Sequence, residues 1–596
     1  MQVDGLRLAE SPWGMNSLHG FILPFFLCTQ MALAAGDDDY KPGPDSLPQP
    51  GVPKGEMVKD KYTAKDSSFF PGTEREYQIY MPAGLDASKP APFMVFQDGV
   101  IYQAPVVFDN LIAKKEIPPL IGIFIKPGVV PAANENALPR FNRSYEYDSV
   151  TDTYSRFLIE EFLPAIKEKH KLNLSDDPNA RGIAGSSSGG ICAFMVAWHR
   201  PDQFRRVFTS VGTYVGIHGA DQLAVLVRKH EPKPLRIHLQ SGEGDNNLYC
   251  GDWWMANQMM ERSLTWNGYD VSHTWGTGGH NQKHATAIFP DVLRGLWKGY
   301  PEEPVKANPR GDAKWRGYEV VGGADTWRQI NNVVVAESLC PVSTGEVYFL
   351  ALEDYSDTSP KLGRIKVGHE AEIICSLPKS VGALAQGQNG NLICASPSGI
   401  CYIKRDGTVI SESPLGHTER LLLRFDGTGI AAINGKLVTL TEGTIKGDAS
   451  TPYGVDTFVN IWCMAVSPDQ TQLYVGGRSS SVDAIRIGTD GVLEKPQSFH
   501  LLHTEVGNET HPSGLCVDTN GWLYVATSLG IQVLDQAGRV NFIIPTPKQP
   551  HDVCFGGKDL SELFIACGDA IYKRPTKAKG YISGQMAPIK PPPPKL

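Results

Sequence analysis

Apolar and polar positions divide this chain into two halves with different periods. In the first half, residues 153–170 place Phe157, Leu158, Phe162, Leu163 and Ile166 at helical spacing, as an amphipathic helix does. Residues 191–198 are apolar and free of breakers, which predicts a second helix. Short apolar runs at 93–96, 182–184, 235–240 and 271–275 read as strands between such stretches. Strands that alternate with helices predict a doubly wound, mostly parallel α/β sheet.

From residue 319 onward the helical period disappears and a short β motif recurs. Its copies begin at Gly345 (Gly-Glu-Val-Tyr-Phe-Leu-Ala), Gly390, Gly427, Gln472, Gly521 (Gly-Trp-Leu-Tyr-Val-Ala) and Glu562. Several follow an Asp-Gly or Asn-Gly type turn, the short-range hairpin signal. Repetition at intervals of about 40 to 50 residues predicts a β-propeller of six blades, with about four strands each. An ordinary β-sandwich would not repeat so regularly.

A chain of 596 residues is too long for one core, so two domains with tails are expected. The division reads as 1–35 signal peptide, 36–60 linker, 61–300 α/β domain, 301–313 linker, 314–582 propeller and 583–596 proline-rich tail, of which residues 587–595 are expected to be disordered. Residues 21–35 are rich in Phe and Leu, and Ala32-Leu33-Ala34 supplies a small-residue cleavage pattern. A signal peptide rather than a spanning helix is therefore expected, with Met15 as a candidate true start. The predicted location is secreted or periplasmic, with no membrane attachment after cleavage. Lys and Arg total 56 against 64 Asp and Glu, with no basic run, which argues against a nucleic-acid partner.

The chemistry concentrates in Gly185-Ser186-Ser187-Ser188-Gly189, a match to the G-x-S-x-G elbow. The preceding strand and following helix supply the context that the motif requires. A serine nucleophile needs a base, and the base needs an orienting acid; in this fold they follow in the order Ser, Asp or Glu, His. Asp245 lies at a predicted strand end, with Glu243 as rival. His280 follows Gly278-Gly279 in a loop, with His284 as competitor. Trp253, Trp254 and Trp275 are candidates to line a sugar or aryl pocket, although a tryptophan is more often core.

Residues 62–300 resemble the enterochelin-esterase/esterase D type of α/β-hydrolase, a group that also holds feruloyl and acetyl-xylan esterases. The matching stretches are Phe70-Pro71-Gly72-Thr73-Glu74-Arg75, Gln97-Asp98-Gly99, Arg143-Ser144-Tyr145-Glu146-Tyr147-Asp148, the elbow, Gly251-Asp252-Trp253-Trp254 and Gly278-Gly279-His280. The resemblance implies Ser187 as nucleophile, His280 as base and Asp245 as orienting acid. It places the oxyanion hole at the backbone N–H of Ser188 plus one from the Asp98-Gly99-Val100 turn. No cofactor is expected for this chemistry.

The second half resembles the SMP-30/gluconolactonase/luciferin-regenerating family of six-bladed propellers, through Val466-Ser467-Pro468-Asp469, Pro512-Ser513-Gly514-Leu515-Cys516-Val517-Asp518 and Phe555-Gly556-Gly557. That family holds a divalent cation with a Glu, two Asn and an Asp, hard oxygen donors suited to Ca²⁺. Here Glu337 matches, but Glu419, Trp462 and Ser513 occupy the other positions. Asp426 or Glu442 takes the place of Glu419 if the register shifts. Loss of the metal and of lactonase chemistry is therefore expected, with the propeller binding something or shielding the esterase site.

Ten of the 11 cysteines lie beyond the signal peptide, and no C-x-x-C pair suggests zinc. Their pairing is left open. The expectation is a secreted serine esterase acting on acyl groups of carbohydrate, acetyl or feruloyl, or on a siderophore-type ester. A metal-dependent lactonase in the propeller is the alternative; a carbohydrate- or partner-binding propeller is a third reading.

Overall fold

A computed structural model describes residues 37–594, apart from residues 308–312, 331–334, 353–359, 378–380, 388–389, 442–443, 446–460 and 506–509. The signal-peptide expectation, Cys28 and Glu442 lie outside the described residues, as does the side chain of Glu337. The first half is built on a ten-stranded sheet. In chain order its strands are β1 (Glu56–Ala64), β2 (Thr73–Met81), β3 (Phe93–Gln97), β4 (Ile121–Ile125), β5 (Val129–Val130), β6 (Arg140–Phe141), β7 (Arg181–Ser186), β8 (Arg206–Ser210) and β9 (Arg236–Gly244). A two-strand ribbon follows, β10 (Asn247–Leu248) with β11 (Gly251–Asp252), and β12 (Asp270–Gly279) completes the sheet.

Across the sheet the order is β12-β9-β8-β7-β3-β4-β2-β5-β6, with β1 paired to β2. The central strands β3, β4, β7, β8, β9 and β12 run parallel, whereas β1 and β2 are antiparallel additions. Every residue of β3, β4, β7 and β8 is buried. Strands covered on both faces need continuous apolar runs, which is why these segments do not alternate. One face packs against the helix Ser188–His199 and the helical stretch 153–169, the other against the helices Ala104–Ala113 and Lys283–Trp297. After β4 the chain returns to the far side of β3 to form β7. The order reverses there, and such a switch point opens a crevice at the strands' C-terminal ends.

The second half is a propeller of six four-stranded blades. Each of the six sequence motifs forms the second strand of a blade, including Val347–Leu352, Leu392–Ser396, Leu523–Thr527 and Glu562–Ala566. The ring closes by pairing the early strand Arg328–Ile330 with Ile571–Pro575 of the last blade, so chain start and chain end share one sheet.

Two expectations about connecting segments are corrected. Residues 36–60 are not simply a linker: β1 begins at Glu56, and residues 37–47 pack along the α/β domain. The tail is ordered where it is described. Ser583 Oγ donates to Leu423 O at 2.6 Å, Ile589 N–H to Pro468 O at 2.8 Å, and Gln536 Nε2 to Pro592 O at 2.8 Å. Proline removes backbone donors but leaves the carbonyls able to accept.

The halves meet around residues 229–231. His230 bridges Ile543 as a parallel pair, Trp315 Nε1–H donates to Lys229 O at 2.6 Å, and Arg574 forms a two-pronged ion pair with Glu231 at 2.7 and 2.8 Å. These residues lie just before the N-terminal end of β9. Loops that leave the C-terminal ends are on the opposite side of the sheet. The propeller therefore docks away from Ser187, and the expectation that it shields that site is not met by these contacts.

Candidate active site

Ser187 falls between β7 and the helix Ser188–His199, at φ 58° and ψ −123°. A non-glycine residue at positive φ is strained, and it persists because its surroundings over-determine it. Its N–H donates to Ser210 O at 2.9 Å, and its own carbonyl accepts from Thr213 N–H at 3.2 Å. A Cβ on Gly185 would lie 2.0 Å from the carbonyl oxygen of Gly189, and one on Gly189 would meet an Asp98 oxygen at 2.8 Å. The two motif glycines are thus forced by close approach.

Asp245 follows β9 and His280 follows β12, so three parallel strands deliver the three side chains to one edge. His280 Nε2 is 2.8 Å from Ser187 Oγ, and its Nδ1 is 2.6 Å from Asp245 Oδ1. The Asp245 side chain is fully buried, while His280 keeps 20% of its side chain exposed. Asp245 also accepts from Ser241 Oγ at 2.6 Å and from Asn246 N–H at 2.8 Å. With Asp245 accepting from Nδ1–H, Nε2 is the lone-pair nitrogen that faces the serine.

The rivals go elsewhere. His284 accepts from Gln240 Nε2 at 3.1 Å within the helix Lys283–Trp297, and burial pushes its pKa down. Glu243 is exposed near the end of β9. Trp253 is buried, donates through Nε1 to Thr213 Oγ1 at 3.2 Å, and meets the His280 ring edge-on at 5.6 Å. Trp254 instead packs edge-to-face on Trp275 at 5.4 Å.

One oxyanion candidate is spoken for. Gly99 N–H donates to Ile125 O at 3.1 Å, which leaves Val100 as the donor from that turn, opposite Ser188 at the start of its helix. Sequence reasoning assigned no role to Arg143 beyond the matching stretch. Its guanidinium binds Asp98 through two nitrogens at 2.7 and 2.8 Å, and Nη1 donates to Ser188 Oγ at 3.0 Å. Both candidate oxyanion loops are therefore tied to one side chain. The signal was an Arg in a matching stretch without an assigned partner; its partner lies 45 residues upstream.

The propeller encloses a cavity of about 370 Å³, lined among others by Arg420, Trp462, Cys463, Ser513, His551 and Asp552. Trp462 meets His511 edge-on, and the Ser513 hydroxyl is turned to the carbonyls of Ala526 and Pro550 at 3.2 and 2.9 Å. Glu419 accepts the Gly435 N–H at 3.0 Å, and Asp426 pairs with Arg424 at 3.2 Å. Neither an indole nor a hydroxyl turned to two carbonyls supplies the anionic oxygen that Ca²⁺ takes at those two positions, while Glu419 Oε2 is buried without a hydrogen-bond partner among the described residues. All ten cysteines among the described residues are free thiols.

Comparison with known proteins places each half. Residues 68–284 match the family model "Putative esterase", and residues 445–568 match "SMP-30/Gluconolactonase/LRE-like region". The iron(III) enterobactin esterase of Escherichia coli K12 is 24% identical over 254 residues, covering 41% of this chain and 58% of that protein. Regucalcin of Sus scrofa is 34% identical over 99 residues, covering 16% of this chain and 32% of that protein. A solved enterobactin esterase from Shigella flexneri aligns with a TM-score of 0.33 and 21% identity, covering 43% of this chain and 62% of that one. The chain thus spans about a third of the regucalcin and under two thirds of the esterase it matches. The first half therefore carries an Esterase-family domain over residues 68–284, and the six-bladed propeller carries an SMP-30/gluconolactonase-like region over residues 445–568.

Proposed function

We propose that the protein is an exported serine esterase whose nucleophile is Ser187, base His280 and orienting acid Asp245. The observation that carries this reading is the continuous relay from Asp245 through His280 to Ser187, at 2.6 and 2.8 Å, on a strained elbow. His280 Nε2 takes the Ser187 proton as Oγ adds to the ester carbonyl carbon. The carbonyl oxygen becomes an oxyanion that accepts the N–H groups of Ser188 and Val100, each worth about 3 kcal/mol. Collapse of this adduct breaks the bond to the alcohol oxygen, which leaves with the proton held on His280. Water then gives its proton to His280, attacks the acyl-serine and releases the acid. Asp245 stays ionised throughout and fixes the ring.

Acyl groups on carbohydrate, acetyl or feruloyl, and siderophore-type esters are the proposed substrates. Three exposed aromatics close in sequence to Arg143 and Asp245, Phe141 (70%), Tyr145 (66%) and Tyr249 (96%), are candidates to take up an aryl acyl group. Export rests on the apolar stretch before residue 36. The propeller is read as an accessory, metal-free binding module, because Trp462 and Ser513 stand at two ligand positions. Lactonase chemistry there would need a cation that these donors do not suit.

Labelling with an alkyl fluorophosphonate tests the nucleophile. Mass spectrometry of the digested protein should find the phosphonyl group on the peptide containing Ser187. A label confined to any other residue contradicts the assignment.

A further inference from the structure

The loop that carries His280 reads Gly276-Thr277-Gly278-Gly279-His280-Asn281, with more glycine than one turn requires. Its close neighbour lies some 240 residues upstream. Asp37 Oδ1 accepts the Gly279 N–H at 2.9 Å, and Asp37 Oδ2 accepts from Asn281 Nδ2 at 2.7 Å. Three residues on, the Tyr40 hydroxyl accepts the Thr277 N–H at 2.9 Å. The Tyr40 ring stacks on His284, with centroids 3.9 Å apart and planes at 19°.

The glycines make this contact possible. A Cβ on Gly276 would lie 2.2 Å from the Tyr40 hydroxyl oxygen, and one on Gly278 would lie 2.8 Å from Asp37 Oδ1 and 3.0 Å from the Tyr40 ring. The strap is also anchored behind the latch. Asp45 pairs with Lys114, and with Arg294 at 2.6 Å, while Asn110 Nδ2 donates to the carbonyls of Asp45 and Leu47 at 2.9 Å each. Both cations hold the Asp45 carboxyl below the usual carboxylate range.

We propose that Asp37 and Tyr40 are positioning residues for His280. Asp37 holds the residue before His280 by its backbone and the residue after it by its side chain, and Tyr40 holds the strand end that leads in. Both touch the loop, and Tyr40 also His284, so their influence reaches the nucleophile through the loop. A misplacement of about 1 Å at a general base can cost about 100-fold in rate. The proposal rests on the esterase reading above. It also sets a limit on processing: a leader removed after Ala35 keeps the latch, whereas a cut after Tyr40 discards it.

The test uses the full mature chain with p-nitrophenyl acetate, comparing Asp37→Ala, Asp37→Asn, Tyr40→Phe and Ser187→Ala. Asp37→Ala should lower kcat about 10- to 100-fold with KM changed less than about 2-fold. Fluorophosphonate labelling of Ser187 should slow in proportion, because that step also needs a correctly placed His280. Asp37→Asn, which still offers one oxygen to Gly279 N–H, should recover part of the loss. Tyr40→Phe keeps the stacked ring and should lose about 3- to 10-fold, by the same positional argument. Values of kcat within about 2-fold of the unaltered chain for both Asp37→Ala and Tyr40→Phe, beside an inactive Ser187→Ala, overturn the proposal alone. Full activity in Ser187→Ala overturns the esterase reading and the proposal with it.

Discussion

Arg143 holds Asp98 by two hydrogen bonds, Nε to Oδ1 at 2.7 Å and Nη2 to Oδ2 at 2.8 Å. Asp98 sits at φ 66°, a left-handed conformation that a non-glycine residue keeps only with outside support. The turn it opens carries Val100, the proposed second oxyanion donor, and the third Arg143 nitrogen reaches Ser188. Arg143→Lys preserves charge but not the fork. It should reduce kcat for ester hydrolysis by about 10- to 100-fold while KM moves little, less than the roughly 100- to 1,000-fold loss when an oxyanion donor is removed outright. Steady-state kinetics on p-nitrophenyl acetate checks this.

Asp245 offers a sharper contrast. Asp245→Asn keeps the volume but replaces the carboxylate that fixes the His280 tautomer by an amide able to donate to the ring, and should lower kcat about 10⁴-fold. Ser241→Ala removes one of three groups that the carboxylate accepts from, and should lower kcat far less. Comparing the two variants on one substrate separates tautomer control from support of the carboxylate.

The junction between the halves should affect stability without affecting rate. Glu231→Ala would leave Arg574, whose side chain is 2% exposed, as a buried charge without its partner. Breaking such a pair costs about 3 kcal/mol or more. Thermal unfolding should begin at a lower temperature, with kcat unchanged below the transition because the junction is at the far end of β9 from Ser187. A fall in kcat would show that the propeller reaches the site.

Acid should destabilise the fold before carboxylate pairs fail. Burial pushes His230 down to about 3 and His199, His238, His500 and His503 down to about 4. Neutral in the fold but titrating near 6.5 when unfolded, they contribute stability that is full above pH 6.5 and lost toward pH 4. Asp518, raised by burial to about 6, acts oppositely and gains stability as pH falls from 6 toward 4. Five histidines outweigh one carboxyl, so Tm should decline from pH 6.5 downward. Scanning calorimetry between pH 8 and 4 tests this, and His230→Asn, which can still donate to Leu226 O, should flatten the slope.

Local signals carried most of this fold. Six copies of a five- to seven-residue strand each became the second strand of a blade, because each blade must bury that strand on both sides. The strand–elbow–helix order placed Ser187, and strand ends placed Asp245 and His280, because parallel strands send their following loops to one edge. Contacts distant in sequence stayed invisible. Nothing near Arg143 points to Asp98, and nothing near Asp37 points to Gly279, 242 residues away. The Gly99 N–H looked available because its acceptor, Ile125 O, belongs to the neighbouring strand end. Composition misled at the termini, where polar and proline-rich residues bind through side chains and carbonyls rather than by regular structure.

The central claim is that ester hydrolysis runs through Ser187 and needs no metal. The direct measurement is hydrolysis of p-nitrophenyl acetate and methyl ferulate by the purified mature chain, beside Ser187→Ala and with EDTA present. Activity that survives EDTA and disappears in Ser187→Ala is the predicted result. Activity that persists in Ser187→Ala but is abolished by EDTA would contradict the account and move the chemistry into the propeller.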